Sequence, residues 1–97
     1  MFGLIGKITA KPGGRDALAA AILEGSGAMP GCRSYVVALD AGDGNAIWVT
    51  EIWEDEAAHK ASLALPAVRA AIAKAMPLIA DFGPSFPTVP VGGTGVD

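Results

Sequence analysis

A polar, glycine-rich stretch, Asp40-Ala41-Gly42-Asp43-Gly44-Asn45, separates two runs dense in β-branched and aromatic residues, Cys32 to Leu39 and Ala46 to Trp53. Aspartate and asparagine carry short acceptors and glycine accepts positive φ, the chemistry of a chain reversal, so the segment predicts an antiparallel hairpin. What flanks it must complete the fold. Upstream, Phe2 to Ala10 alternates, with Phe2, Leu4, Ile8 and Ala10 on one side and Lys7 and Thr9 on the other, which is the signature of a strand. Pro12-Gly13-Gly14 ends that strand. Leu18, Ala21, Ile22 and Gly25 then follow at helical spacing in an alanine-rich stretch that begins at Arg15. Met29-Pro30-Gly31 supplies a tight turn into the hairpin.

Downstream, Asp55 is placed to cap a helix and Glu56 to sit at its positive end. Pro66 suits the first turn of a further helix. Val68, Ile72 and Met76 give that helix an apolar stripe, read as core-facing, and Pro77 stops it apart from a distorted turn at Leu78 and Ile79. Pro84, Pro87 and Pro90 restrict Phe82 to Val91 to an edge strand or an extended arm. Gly92 to Asp97 has no reason to be ordered unless a partner holds it. The order β-α-β-β-α-α-β predicts an α+β, ferredoxin-like single domain over residues 1–97, a four-stranded antiparallel sheet with its helices on one face. The other face lacks a cover. A second copy of the sheet is the natural one, with residues 84–97 as a C-terminal arm that clasps it.

Composition narrows the function classes. The net charge is -3 and the seven Lys and Arg residues are scattered, so no basic stripe is present to neutralise phosphates and nucleic acid is not expected as a partner. No run approaches the length of a membrane span, and the apolar start meets Lys7 too early for a signal-peptide core, so a cytoplasmic location without membrane association is expected. Cys32 is the one cysteine and His59 the one histidine, which excludes an internal disulfide and a two-histidine metal site within the chain. Cys32 is expected as a small buried residue of its strand.

The stretch Thr50-Glu51-Ile52-Trp53-Glu54-Asp55-Glu56-Ala57-Ala58-His59-Lys60-Ala61-Ser62-Leu63 resembles the antibiotic biosynthesis monooxygenase family, in which a strand ending Glu-x-Trp leads into an acidic cap and an Ala- and His-bearing helix. The likeness continues through Pro66-Ala67-Val68 and Pro77-Leu78-Ile79 to Phe82. The resemblance implies a homodimer, a dimeric α+β barrel, with an apolar pocket between sheet and helices in each subunit. It further implies oxidation of a quinol or a polycyclic phenol or polyketide by molecular oxygen with no cofactor and no metal. Some relatives have no settled role, so a non-catalytic dimeric module that binds a small ligand or stabilises a partner stands as the alternative. Relatives that degrade haem carry an asparagine and a haem-ligating histidine where this sequence has Gly6-Lys7 and Arg69-Ala70-Ala71, which disfavours that reaction here.

Oxygenation without a cofactor needs a dry cavity, a base and a few donors, because an electron-rich phenol, once deprotonated, is itself the reductant. His59 is the candidate base, since its unperturbed titration lies near neutrality. Trp53, at the strand end beside the next helix, either lines a pocket for a small aromatic substrate or packs in the core. Trp48 has the opposite strand parity and is expected at the dimer contact. Glu51 shares a face with Trp53 and either ends in a polar pocket or pairs with a cation across the dimer. Ser62 lies one helical turn after His59 and shares its face. Tyr35 is a further pocket candidate, and Arg69 either anchors an anionic substrate group or is solvated.

Overall fold

The computed structural model describes residues 1–96. The elements run β1 (Phe2–Ala10), α1 (Arg15–Gly25), β2 (Cys32–Leu39), β3 (Ala46–Trp53), α2 (Glu56–Ser62), α3 (Pro66–Ala75), a 3-10 turn (Met76–Leu78) and β4 (Ile79–Thr88). One four-stranded sheet has the order β2-β3-β1-β4 and every pairing in it is antiparallel. This is the ferredoxin-like α+β arrangement that the element order predicts.

Local chemistry accounts for each junction. In the β2–β3 reversal Asp40 Oδ1 accepts the backbone N–H groups of Gly42 and Asp43, both at 2.8 Å, and Asp43 Oδ1 accepts that of Asn45 at 2.9 Å. Short acidic side chains thus replace the backbone pairing that a reversal gives up. Arg15, at the start of α1, donates to the Asp40 and Asp43 carbonyls and so ties that helix to the hairpin. Asp55 caps α2 through Oδ1, which accepts the Ala58 N–H at 2.7 Å. Leu65 is extended, as a residue before proline prefers, and Pro66 opens α3.

The register fixes which side chains face the helices. Phe2, Leu4, Gly6 and Ile8 of β1 lie opposite Trp53, Glu51, Val49 and Ile47 of β3, and Tyr35 of β2 lies opposite Glu51 from the other side. Trp53, Leu18 and Ile47 are the largest fully buried side chains. Around Leu18 and Ile47 a compact core gathers Ala10, Ala21, Val49 and Ala75. Helices α1 and α3 meet at Gly25, where an added Cβ would lie 2.6 Å from the Cβ of Ala71. Alanine and glycine at this crossing let the two helices approach closely, which leaves the larger apolar residues of α3 elsewhere.

That displacement corrects one expectation. Val68, Ile72 and Met76 do not pack in the core: Ala71 and Ala75 are the buried residues of α3, while Ile72 and Met76 are 43% and 51% exposed. The stripe faces a cavity instead. A second correction concerns the C-terminal arm expected from residue 84. Strand β4 pairs with β1 as far as Thr88, so residues 84–88 belong to the subunit's own sheet and the arm begins after them. Its last residue, Asp97, lies outside the described residues. Strand β4 is an edge strand, as its prolines require. Its register against β1 shifts between Gly6 and Ile8, beside the Gly83–Pro84 step, and the residues at this break help line the cavity.

The opposite face of the sheet presents Ile5, Lys7, Val36, Trp48, Ile52 and Phe86, with Val36 and Phe86 about half exposed. Trp48 donates from Nε1 to Asp40 Oδ2 at 2.8 Å, and the Lys7 ammonium lies 5.8 Å from the Trp48 ring centroid. No single helix among the described residues is long and apolar enough to cross a membrane.

Candidate functional site

A cavity of about 520 Å³ lies between the sheet and the helices. Leu4 and Ile8 of β1, Ile22 of α1, and Val68 and Ala71 of α3 give it apolar walls. Leu63, Ile72, Met76 and Phe82, each between 43% and 61% exposed, form its rim. Its polar groups come mainly from β3, β2 and α2: Glu51, Trp53, Tyr35, His59 and Ser62. Five of the six candidate residues therefore line one cavity. The sixth, Arg69, is exposed on α3 outside the lining.

Glu51 organises the polar end. Strand parity turns it toward the helices beside Trp53, whose Nε1–H donates to Glu51 Oε1 at 3.1 Å. His59 Nε2 approaches the same oxygen at 3.8 Å, with side-chain exposures of 20% for His59 and 14% for Glu51. Within the subunit, Glu51 thus finds polar partners in Trp53 and His59. Burial raises the Glu51 carboxyl above its ordinary value, while the Trp53 N–H and the adjacent His59 favour the charged form and oppose that rise.

His59 is held by aromatic contacts. Trp53 meets it edge-on at 5.5 Å between ring centroids, and Phe2 lies 5.5 Å away on a tilted plane. The position follows from local structure. Gly31, at φ +81°, packs against Ala58 so closely that a Cβ there would lie 2.7 Å from the Ala58 Cβ, and its carbonyl accepts the Glu54 N–H at 2.8 Å. These contacts seat α2 against the end of β3, and its second turn brings His59 over Trp53. Trp53 is both pocket wall and core residue, lining the cavity while wholly buried.

Ser62 is buried, and its hydroxyl donates to the His59 carbonyl at 2.6 Å. That bond commits its proton to the helix backbone, so it contributes shape and no nucleophile. Tyr35 is mostly buried, and burial first, then the Glu51 charge, raises its hydroxyl well above the usual phenol range. At neutral pH it is a donor. Cys32 is only partly buried, on the outer strand β2. Its thiol is pushed up by burial and by Glu51.

The sequence did not single out Phe2, Met29 or the rim residues as parts of the site. Phe2 touches His59 because β1 pairs with β3 in a register that sets Phe2 opposite Trp53. No local pattern encodes that juxtaposition. Val68, Ile72 and Met76 carried a readable signal, the one-turn spacing of large apolar side chains, but spacing does not distinguish a stripe that fills a core from one that walls a cavity.

The sequence profile described as antibiotic biosynthesis monooxygenase matches residues 1–74. The chain belongs to the antibiotic biosynthesis monooxygenase family. Among solved structures, a Chloroflexus aurantiacus J-10-fl protein provisionally described as an antibiotic biosynthesis monooxygenase is 56% identical, over 99% of this chain and 98% of that one, with a TM-score of 0.96. A Deinococcus radiodurans protein given the same provisional description matches at 24% identity and a TM-score of 0.77, covering 96% of this chain and 95% of its own. The Pseudomonas aeruginosa protein PA3566 matches at 22% identity and a TM-score of 0.81, with 94% of each chain covered. At these last two identities the likeness is one of fold. No curated protein matches the sequence.

Proposed function

We propose that this member of the antibiotic biosynthesis monooxygenase family oxidises a neutral quinol or polycyclic phenol with molecular oxygen, without a cofactor, inside the cavity between sheet and helices. The observation that carries the reading is the convergence of Glu51, Trp53, His59 and Tyr35 at one end of an otherwise apolar cavity of about 520 Å³. A flat, hydroxylated ring system suits such a space, since apolar walls take its faces and a few polar groups fix its oxygen atoms.

His59 takes the proton whose loss makes the substrate electron-rich, and the imidazolium so formed is stabilised by the Glu51 carboxylate 3.8 Å away. Tyr35, kept protonated, donates to the developing oxyanion. The substrate anion passes one electron to oxygen, and the radical pair combines into a C–O bond, giving a hydroperoxide after protonation. In an anthrone the O–O bond then breaks, hydroxide leaves with the remaining proton of that carbon as water, and a carbonyl remains. The methylene group supplies all four electrons, so one oxygen atom enters the product and the other leaves as water. Apolar walls exclude bulk water and so protect the intermediate.

Labelled dioxygen tests the scheme. Turnover of an anthrone under ¹⁸O₂ should place one labelled atom in the quinone and none from solvent water at that carbon. Label drawn from solvent would refute direct combination with oxygen.

A further inference from the structure

The charged groups of the cavity are unbalanced. Glu51 is its one carboxylate, and the nearby cations that could answer an anionic ligand are turned away: Lys7 contributes to the lining from β1, but its ammonium lies on the other face of the sheet over Trp48, and Arg69 is outside the lining altogether. Oε1 of Glu51 is engaged by the Trp53 N–H and faces His59, whereas Oε2 accepts no hydrogen bond among the described residues. We infer that Glu51 is the specificity-determining residue of the site: Oε2 accepts a hydrogen bond from a hydroxyl of a bound hydroxy-aromatic, and its charge excludes ligands that carry a carboxylate of their own. The inference rests on the reading of this cavity as the substrate site.

The neighbours of Glu51 show the same field at work. From β2, Tyr35 lies opposite Glu51 and Cys32 opposite Trp53, and in each the Glu51 charge adds to burial in opposing ionisation. Two groups beside it favour negative charge, the Trp53 N–H and His59 of α2, and both are turned to Glu51 Oε1 itself, so a second anion would have to share them. Like charges brought into a partly dry site repel far more strongly than in water. A carboxylate ligand also gives up its hydration with no cation to replace it. An un-ionised phenol meets neither cost and gains an acceptor.

The test is binding in the absence of oxygen, so that it stands or falls separately from the oxygenase reading. Two probes of one shape are compared at pH 7 by titration calorimetry, 2-naphthol and 6-hydroxy-2-naphthoate. The wild-type protein should bind the neutral naphthol at least about tenfold more tightly. Glu51→Gln keeps the size of the side chain and an acceptor for the Trp53 N–H but removes the charge, and it should narrow that ratio severalfold. Circular dichroism confirms that the variant is folded, and the wild-type ratio decides the matter should it not be. Equal affinity for the two probes, binding of neither, or an unchanged ratio in folded Glu51→Gln would overturn the inference.

Discussion

Glu51 stands in a position that an apolar residue would occupy at less cost, between Val49 and Trp53 on the helix-facing side of a central strand. Its carboxyl is raised from 4.5, chiefly by burial. Between the unfolded and folded values the native protein holds a proton that the unfolded chain has lost, so this group's contribution to stability declines as pH rises through that window and the deficit persists at neutrality. Glu51→Gln titrates in neither state. It is expected to unfold at a higher urea concentration than wild type at pH 7, with the advantage shrinking as pH falls toward 4.5. A variant less stable than wild type at pH 7, with no recovery in acid, would mean that the carboxylate's partners outweigh its burial. Asp40 has the opposite sign. The Trp48 N–H and the backbone N–H groups of Asp43 and Gly42 lower it from 3.8 to about 2, so its contribution is present above 3.8 and is lost as pH falls toward 2. Removing the indole donor by Trp48→Phe should raise the Asp40 titration in carboxyl NMR. An unmoved titration would contradict that assignment of cause.

The secondary structure was legible in the sequence because each element ends on residues with one good use. The reversal at Asp40 to Asn45, the Asp55 cap and the Pro66 helix start are local chemistry, and they fall where the residues place them. Helix packing is not local. The spacing of Val68, Ile72 and Met76 predicts a core stripe, yet α3 packs through Ala71 and Ala75, because Gly25 of α1 admits only small residues at the crossing. Gly25→Ala tests this directly. Helix propensity alone would make alanine stabilising there by about 0.5–1 kcal/mol. The added Cβ would lie 2.6 Å from the Ala71 Cβ and 3.3 Å from the Ala67 carbonyl oxygen, with no flexible side chain to yield. Overpacking of this kind costs about 1–3 kcal/mol, so the variant should be the less stable in urea. An unchanged or higher midpoint would show that the helices separate freely. For β4, three prolines mark an edge strand or an extended arm, and how far the strand runs, to Thr88, is decided by pairing with β1, a contact far away in sequence.

For the whole molecule, the sheet face away from the helices bears Ile5, Val36, Trp48, Ile52 and Phe86, an apolar surface of a kind that monomers seldom leave bare. We propose that a second copy covers it. Light scattering at micromolar concentration should return twice the mass of one chain, and deletion of residues 89–97, which leaves β4 whole, should raise the dissociation constant if the segment beyond β4 clasps the partner. A monomer mass for the intact chain would remove the proposal. The candidate site was partly legible in the same way as the fold. Glu51, Trp53 and His59 sit within nine residues of one another, so strand parity and one helical turn bring them together. Tyr35 and Phe2 join them only through sheet register. We propose that these residues make a cavity in which a bound phenol reduces oxygen unaided. The decisive measurement is oxygen uptake by metal-stripped protein against a panel of anthrones and hydroquinones. Uptake is expected with at least one of them, slowed about 10²- to 10⁴-fold in His59→Ala at neutral pH and less at high pH, where the substrate ionises without help. Uptake no faster than the protein-free rate across the panel, or full activity in His59→Ala, would contradict it.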